Sequence, residues 1–261
     1  MELRLAVLGG DGAVRAEARA DGEVFLVYRP EYAEGDRVAV AASAPAFIWL
    51  ALDDAMPPAL VYLRGGGYEL AVPFGPRRKT YSPRAFTGEM HRLWARLARP
   101  EELAARRDLA FNPYDDHGNS ALFPHASANV ETRGEAVFAA RNAIDGECAN
   151  DGHGFWPYTS WGINRDPAAA LTLDFGRPVE IDEIALTLRA DFPHDSWWQA
   201  ASLTFSDGAT VALSLDKTAS AQRFPLAPRM VDGLRLHTLV KAGDPSPFPA
   251  LTRLEVLGRE A

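Results

Sequence analysis

Near the start of the chain Leu3, Leu5 and Val7 alternate with Arg4 and Ala6. A period of two puts successive side chains on opposite faces of a strand. Apolar, β-branched or aromatic runs of similar length follow at 24–28, 38–42, 47–52, 60–63 and 68–72. Each is bounded by Gly, Pro or Asp, residues that favour turns. Asp11 with Gly12, and Asp21 with Gly22, have the form of hairpin turns. Repeated short strands with this punctuation predict an antiparallel sandwich. The rhythm changes over 88–107. Met90, Leu93, Trp94 and Leu97 recur at helical spacing, and Pro100 then opens a second short helix. Its acids, Glu101 and Glu102, precede its bases, Arg106 and Arg107, as the helix dipole prefers. Strand-like runs return at 170–175, 181–189, 200–205, 210–215, 222–226, 233–239 and 251–257.

The pattern predicts an all-β protein of two β-sandwich domains joined by a short helical connector. The expected boundaries are 1–86 for the first sandwich, 87–120 for the connector and loop, and 121–261 for the second sandwich.

Composition narrows the classes. Hydrophobic residues make up 47% and charged residues 24%, which excludes a wholly disordered chain. The longest apolar run, 44–52, is far shorter than the roughly 20 residues that span a bilayer, so no membrane span is expected. A single cysteine, Cys148, excludes an internal disulfide framework and a Cys-rich zinc module. Acidic and basic residues balance up to position 110, so the whole net charge of −8 falls in the later part. That sign does not invite nucleic acid, and no aromatic-interleaved RNA-binding module accompanies the one basic run. The first residues lack a long apolar stretch with a small-residue cleavage site, so a cytoplasmic location is expected. A secretion signal already trimmed away is compatible with the same sequence. Nothing in the sequence sets the oligomeric state.

Five segments of the later part carry a resemblance. They are 140–146 (Ala-Arg-Asn-Ala-Ile-Asp-Gly), 159–161 (Thr-Ser-Trp), 171–176 (Leu-Thr-Leu-Asp-Phe-Gly), 179–185 and the closing 251–258. In order and spacing they are similar to discoidin domains, also called coagulation-factor type C domains, across about 125–259. The resemblance implies an eight-stranded antiparallel jelly roll of the galactose-binding-like kind, with its ligand site in loops at one end. Many relatives bind sugars, and others bind lipids or proteins, so the fold alone does not settle function. Residues 1–110 resemble no named family.

The candidate site residues follow. The segment 189–199 leaves a strand at Arg189 and gathers Asp191, His194, Asp195, Trp197 and Trp198. Sugar recognition uses such a mixture: polar groups for hydroxyls and an aromatic face for the ring. Adjacent strand residues face opposite ways, so one of the two tryptophans is expected in the core and one near the site. The loop 153–165 adds His153, Trp156, Asn164 and Arg165, while Trp161 matches a core tryptophan of the discoidin pattern. Glu131 and Arg133 read most simply as a solvated ion pair.

The resemblance also implies a structural calcium ion, matched here by the loop carbonyls from Ala143, by Asp145, by Ser160 and by Glu255. The bland alternative at Asp145 is an Asx turn without metal. No organic cofactor is expected.

The reading favoured is a carbohydrate-binding protein using loops of the second sandwich. The alternative is a carbohydrate-active enzyme, a hydrolase or lyase, with a site in an interdomain cleft around 112–125. Its candidates are Asp115, His117 and His125, with Asp116 beside them, as metal ligands or acid and base. The basic run Arg77, Arg78 and Lys79, continued by Arg84, Arg92, Arg96 and Arg99, is expected chiefly to make ion pairs to the acidic later part.

Overall fold

The computed structural model describes residues 1–149, 151, 154–190 and 196–261. Strands β1 (Glu2–Leu8), β2 (Val14–Asp21), β3 (Glu23–Tyr28), β4 (Arg37–Ala42), β5 (Ala46–Ala51), β6 (Ala59–Leu63), β7 (Gly66–Ala71) and β8 (His91–Leu97) come first. After a short helix α1 (Pro100–Ala104) come β9 (Arg107–Asp108), β10 (Leu122–Phe123), β11 (His125–Ala128) and β12 (Trp161–Gly162). The last five are β13 (Leu171–Leu188), β14 (Trp198–Phe205), β15 (Thr210–Ser214), β16 (Gln222–Lys241) and β17 (Ala250–Glu260).

The first sandwich packs a sheet of order β2-β1-β4-β7 against one of order β10-β6-β5-β8-β3. Its core holds Leu3, Leu5, Ile48, Leu50, Leu63 and Leu70, the inward members of the alternating runs. Sheets buried on one face have this in–out rhythm because the side-chain period is two.

The helix expected from Met90 to Leu97 is a strand. His91, Leu93 and Ala95 point inward and Arg92 outward, while Met90 is exposed. β8 lies between β5 and β3, so both its edges are hydrogen-bonded. Tertiary pairing outweighs the helical spacing of four side chains. Helix is confined to Pro100–Ala104, with Glu102 reaching back to the Arg99 backbone N–H at 2.8 Å.

The second sandwich is an antiparallel jelly roll of eight strands, as the discoidin resemblance implies. β13 and β16 each bend to serve both layers. The first part of β13 pairs β11 and the far end of β16; its remainder pairs β17 and the beginning of β16. The bend falls where the register breaks, between Asp174 and Val179, around Gly176 at φ 71°. A Cβ there would lie 2.4 Å from the ring of Phe123, so close packing against β10 also demands glycine. The core contains Trp161, Leu173, Phe175, Ile184, Trp198, Leu236 and Leu254.

Between the sheets the chain touches both cores in turn. Leu109 and Ala110 enter the second core, Tyr114 and Leu122 the first, and Ala126 the second again. The expected boundaries at 87 and 121 therefore do not coincide with the packing: β8 and β10 belong to sheets of the first sandwich. Among the described residues no helix is long and apolar enough to cross a membrane.

Candidate functional site

Where the two sandwiches face each other they leave a cleft of about 470 Å³. The first sandwich contributes Trp49 from β5, the turn 55–58 that leads into β6, and Tyr81. Tyr81 follows the 3-10 turn Gly75–Thr80. The second contributes Arg141, Asp145 and Glu147 from the 3-10 turn Ala140–Ala143 and the loop after it, with Trp156 and Arg253. Arg107, Asp108 and Phe111 from the connecting segment complete the wall.

The loop bearing Trp156 is tied across the gap, its backbone N–H donating to the Lys79 carbonyl at 2.7 Å. Lys79 in turn stands 5.1 Å over the ring of Phe155. On the other side Gly146, at φ 87°, lies against Phe111, where a Cβ would come within 2.4 Å of the ring. The Asp-Gly pair at 145–146 is thereby explained by close packing as well as by the turn.

Three arginines line the cleft, and their partners differ. Arg107 pairs with Glu260 and reaches the carbonyls of Glu102 and Leu103. Arg253 meets Asp108 at 3.1 Å and Glu255 at 3.4 Å. Arg141, 6% exposed, donates among the described residues only to neutral oxygens: the carbonyls of Asp115 and Pro113, each at 2.7 Å, and Asn142 Oδ1 at 3.2 Å. Its guanidinium stands 4.9 Å over the ring of Tyr81.

The acids are perturbed. Burial pushes the Asp145 carboxyl up to about 7, against the opposing pull of Arg141 and the Glu147 backbone N–H. Burial also raises Asp108, although Arg253 and two backbone N–H groups favour its charged form. A raised acid stabilises the fold below its unfolded pKa and loses that contribution as pH rises through the folded value, near 7 for Asp145.

The residues expected to bind ligand do not all meet. Asn164, Arg165 and Arg189 line a small hollow of about 90 Å³ at one end of the jelly roll. Arg165 and Trp198 border a neighbouring one of about 450 Å³. Asn164 and Arg165 have φ of 48° and 63°, and Arg165 stands 4.3 Å over Phe248. Arg189 is buried, donates to Ser160 Oγ at 3.0 Å and stacks on Tyr158 at 3.7 Å. Trp198 is 1% exposed and packs on Trp161, whereas Trp197 is half-buried against the same core. Trp156 leaves this group altogether and lines the cleft. His153, Asp191, His194 and Asp195 lie outside the described residues.

Three of the implied calcium donors, Ser160, Glu255 and Asp145, already have partners within the protein. Ser160 Oγ accepts from Arg189, and its carbonyl accepts from Asn142 Nδ2 at 3.2 Å. Glu255 faces Arg253, and Asp145 accepts the Glu147 backbone N–H at 2.8 Å. Ala143 is wholly buried in the second core. Beside Glu255 the guanidinium of Arg253 supplies positive charge. Among the described residues, no three His, Cys, Asp or Glu side chains are placed to hold a metal. Chelator is therefore expected to leave the melting temperature unchanged. A fall of several degrees, reversed by added calcium, would reinstate the ion, since a ligand of the native state stabilises by mass action.

Asp115, His117 and His125 do not form a catalytic set in the cleft. Asp115 is fully buried and accepts from Asn119 Nδ2, His125 Nδ1 and the Ala126 backbone N–H. His117 turns away to Glu131 at 2.6 Å, whose hydrogen bond raises its pKa. Glu131 and Arg133 are not paired with each other: Arg133 bonds Glu135 at 2.5 Å. Of the basic run, Arg77 does pair with the later part, meeting Asp116 at 2.7 Å, but Arg96 pairs locally with Glu102.

No family model and no curated protein matches the chain. Several solved structures are similar to it. Chitosan-binding module 1 of a Paenibacillus sp. IK-5 chitosanase/glucanase is 18% identical over 58% of this chain and 99% of its own, with a TM-score of 0.37. A family 32 carbohydrate-binding module of C. perfringens NanJ, in complex with galactose, is 18% identical over 51% and 91%, with a TM-score of 0.39. A fucose-binding module from Streptococcus pneumoniae is 14% identical over 57% and 96%, with a TM-score of 0.38.

Proposed function

We propose that the protein binds a carbohydrate, and that the cleft between its sandwiches holds it. One observation carries this reading: Trp49, Tyr81, Phe111 and Trp156 line the same cleft as Arg141 and Asp145. A pyranose presents an apolar face and a rim of hydroxyls, so it needs aromatic surface and hydrogen-bonding groups together. The cleft volume, about 470 Å³, lies within the range of small-molecule sites. Trp156 keeps part of its indole exposed, and the buried indole N–H of Trp49 has no hydrogen-bond partner among the described residues. An unmet donor beside a cleft favours a polar ligand.

The test is a glycan array followed by titration calorimetry. Trp156→Ala and Trp49→Ala are expected to weaken binding by about 10-fold or more, the scale of a lost aromatic contact of about 1–3 kcal/mol. Trp156→Ala should do so without moving the melting temperature. Unchanged affinity in both variants would remove the cleft as the site.

A second reading puts the ligand at the loop end of the jelly roll. The positive φ of Asn164 and Arg165 favours it, because backbone strain in non-glycine residues clusters at functional sites. Arg165→Ala separates the two readings, since it lies outside the cleft and should leave cleft binding intact.

A further inference from the structure

Of the cations around the cleft, Arg141 is the one with no carboxylate in direct contact among the described residues, although Asp145, Asp115 and Asp116 stand near enough to favour its charged form. Arg107 and Arg253 have carboxylates against them; Arg141 has none within 4.0 Å among the described residues. A buried guanidinium whose hydrogen bonds all go to neutral oxygens can still gain a charge-assisted pair from a carboxylate brought into direct contact. A guanidinium carries five N–H donors, and the three hydrogen bonds of Arg141 leave donors unspent. Its hold on two backbone carbonyls and its stacking on Tyr81 fix the group in place, so little ordering entropy is lost on binding.

We infer that the ligand of the cleft is an acidic saccharide, a sugar bearing a carboxylate that pairs with Arg141. This rests on the reading that the cleft binds carbohydrate. Guanidinium and carboxylate match in shape and charge, and their hydrogen bonds are among the stronger ones in proteins. Asp145 lines the same cleft and supplies the opposing charge when ionised. The aromatic walls take the ring face, so the carboxylate is recognised as part of a sugar rather than as a free anion.

The experiment titrates the full chain with uronic-acid oligosaccharides and with the same oligosaccharides after chemical reduction of every carboxylate to a primary alcohol. Linkage and ring stereochemistry stay constant, so the ratio of the two affinities reports the carboxylate alone. The acidic form is expected to bind at least 10-fold tighter, with an advantage that shrinks as salt is added. Arg141→Gln should bring the ratio towards one. Asp145→Asn, which removes the negative charge while its side-chain oxygen can still accept from the Glu147 backbone N–H, should raise it severalfold. If Arg141→Gln fails to fold, the wild-type ratio and Asp145→Asn still decide. Reduced oligosaccharides binding as well as acidic ones would overturn the acidic ligand while leaving the carbohydrate reading standing. Tight binding of sulfated neutral sugars in preference to uronates would overturn the carboxylate. No binding of any saccharide would overturn both readings together.

Discussion

Trp198→Ala is expected to destabilise the fold by about 3–5 kcal/mol, the cost of truncating a large buried aromatic. The indole is 1% exposed and sits at the start of β14, where Trp198 pairs with Lys241 of β16. Its ring lies 6.2 Å from that of Trp161, so the two indoles fill the same end of the second core. Alanine leaves a cavity that neighbouring strands, hydrogen-bonded on both sides, cannot collapse to fill. One term works the other way: the Trp198 indole N–H is buried without a hydrogen-bond partner among the described residues, and truncation relieves that penalty. Trp197→Ala should cost much less, because that side chain is only half-buried. Urea denaturation of both variants decides the matter. A Trp198→Ala protein as stable as the parent, with weakened glycan binding, would return this indole to the ligand site.

Asp115→Ala is expected to cost about 3–5 kcal/mol, as when one partner of a buried pair is removed. Asp115 stands between the sandwiches and organises them. It holds Asn119 Nδ2 at 2.7 Å, His125 Nδ1 at 2.8 Å and the Ala126 backbone N–H at 2.9 Å. Asn119 also bonds the carbonyl of Leu122 in the first sandwich, while Ala126 lies in the second core. Alanine strands these donors, and an unpaired buried donor costs about 1–3 kcal/mol. The pair also leaves a pH signature. Burial alone would lower the His125 pKa, but the hydrogen bond and charge of Asp115 outweigh it, and the net shift is upward. A raised histidine stabilises the fold fully below its unfolded pKa, about 6.5, and loses that contribution as pH rises through the folded value. The parent should therefore lose stability as pH rises above about 6.5. Asp145 adds to the fall in the same direction, so the diagnostic is the part that disappears in Asp115→Ala. A variant that folds with parental stability but loses turnover of a glycan would mark Asp115 as catalytic instead.

The candidate site was less legible than the fold. The segment around Arg189 and the tryptophans attracts attention by its density of polar and aromatic groups. Yet density along the chain does not tell a ligand contact from a packed corner. Arg189 spends its guanidinium on Ser160 and Tyr158, and Trp198 is core. Trp156, chosen with the same loop, faces the first sandwich instead. Trp49, Tyr81, Phe111 and Arg141 had no local signal at all. Trp49 reads as one more residue of an apolar strand, and Arg141, though inside the discoidin-like segment 140–146, carries no sign there of a ligand role. They become a site only because two sheets far apart in sequence meet.

Local alternation and turn residues determined the strands of both sandwiches, because a strand half-buried in a sheet needs only a period of two and a place to stop. The jelly-roll form of the second sandwich came from the resemblance of the five ordered segments to discoidin domains and not from strand periodicity. Three matters were decided by tertiary structure. His91–Leu97 suits a helix or a strand by spacing, and the open edges of β3 and β5 made it a strand. The segment 107–126 has weak periodicity because it alternates between two cores rather than following one. The cleft depends on how the sandwiches are held together, by Arg106 with Asp182, Arg64 with the Gly176 carbonyl and Phe123 on Gly176. Those contacts join residues 76, 112 and 53 positions apart, and no local pattern records a partner at that range.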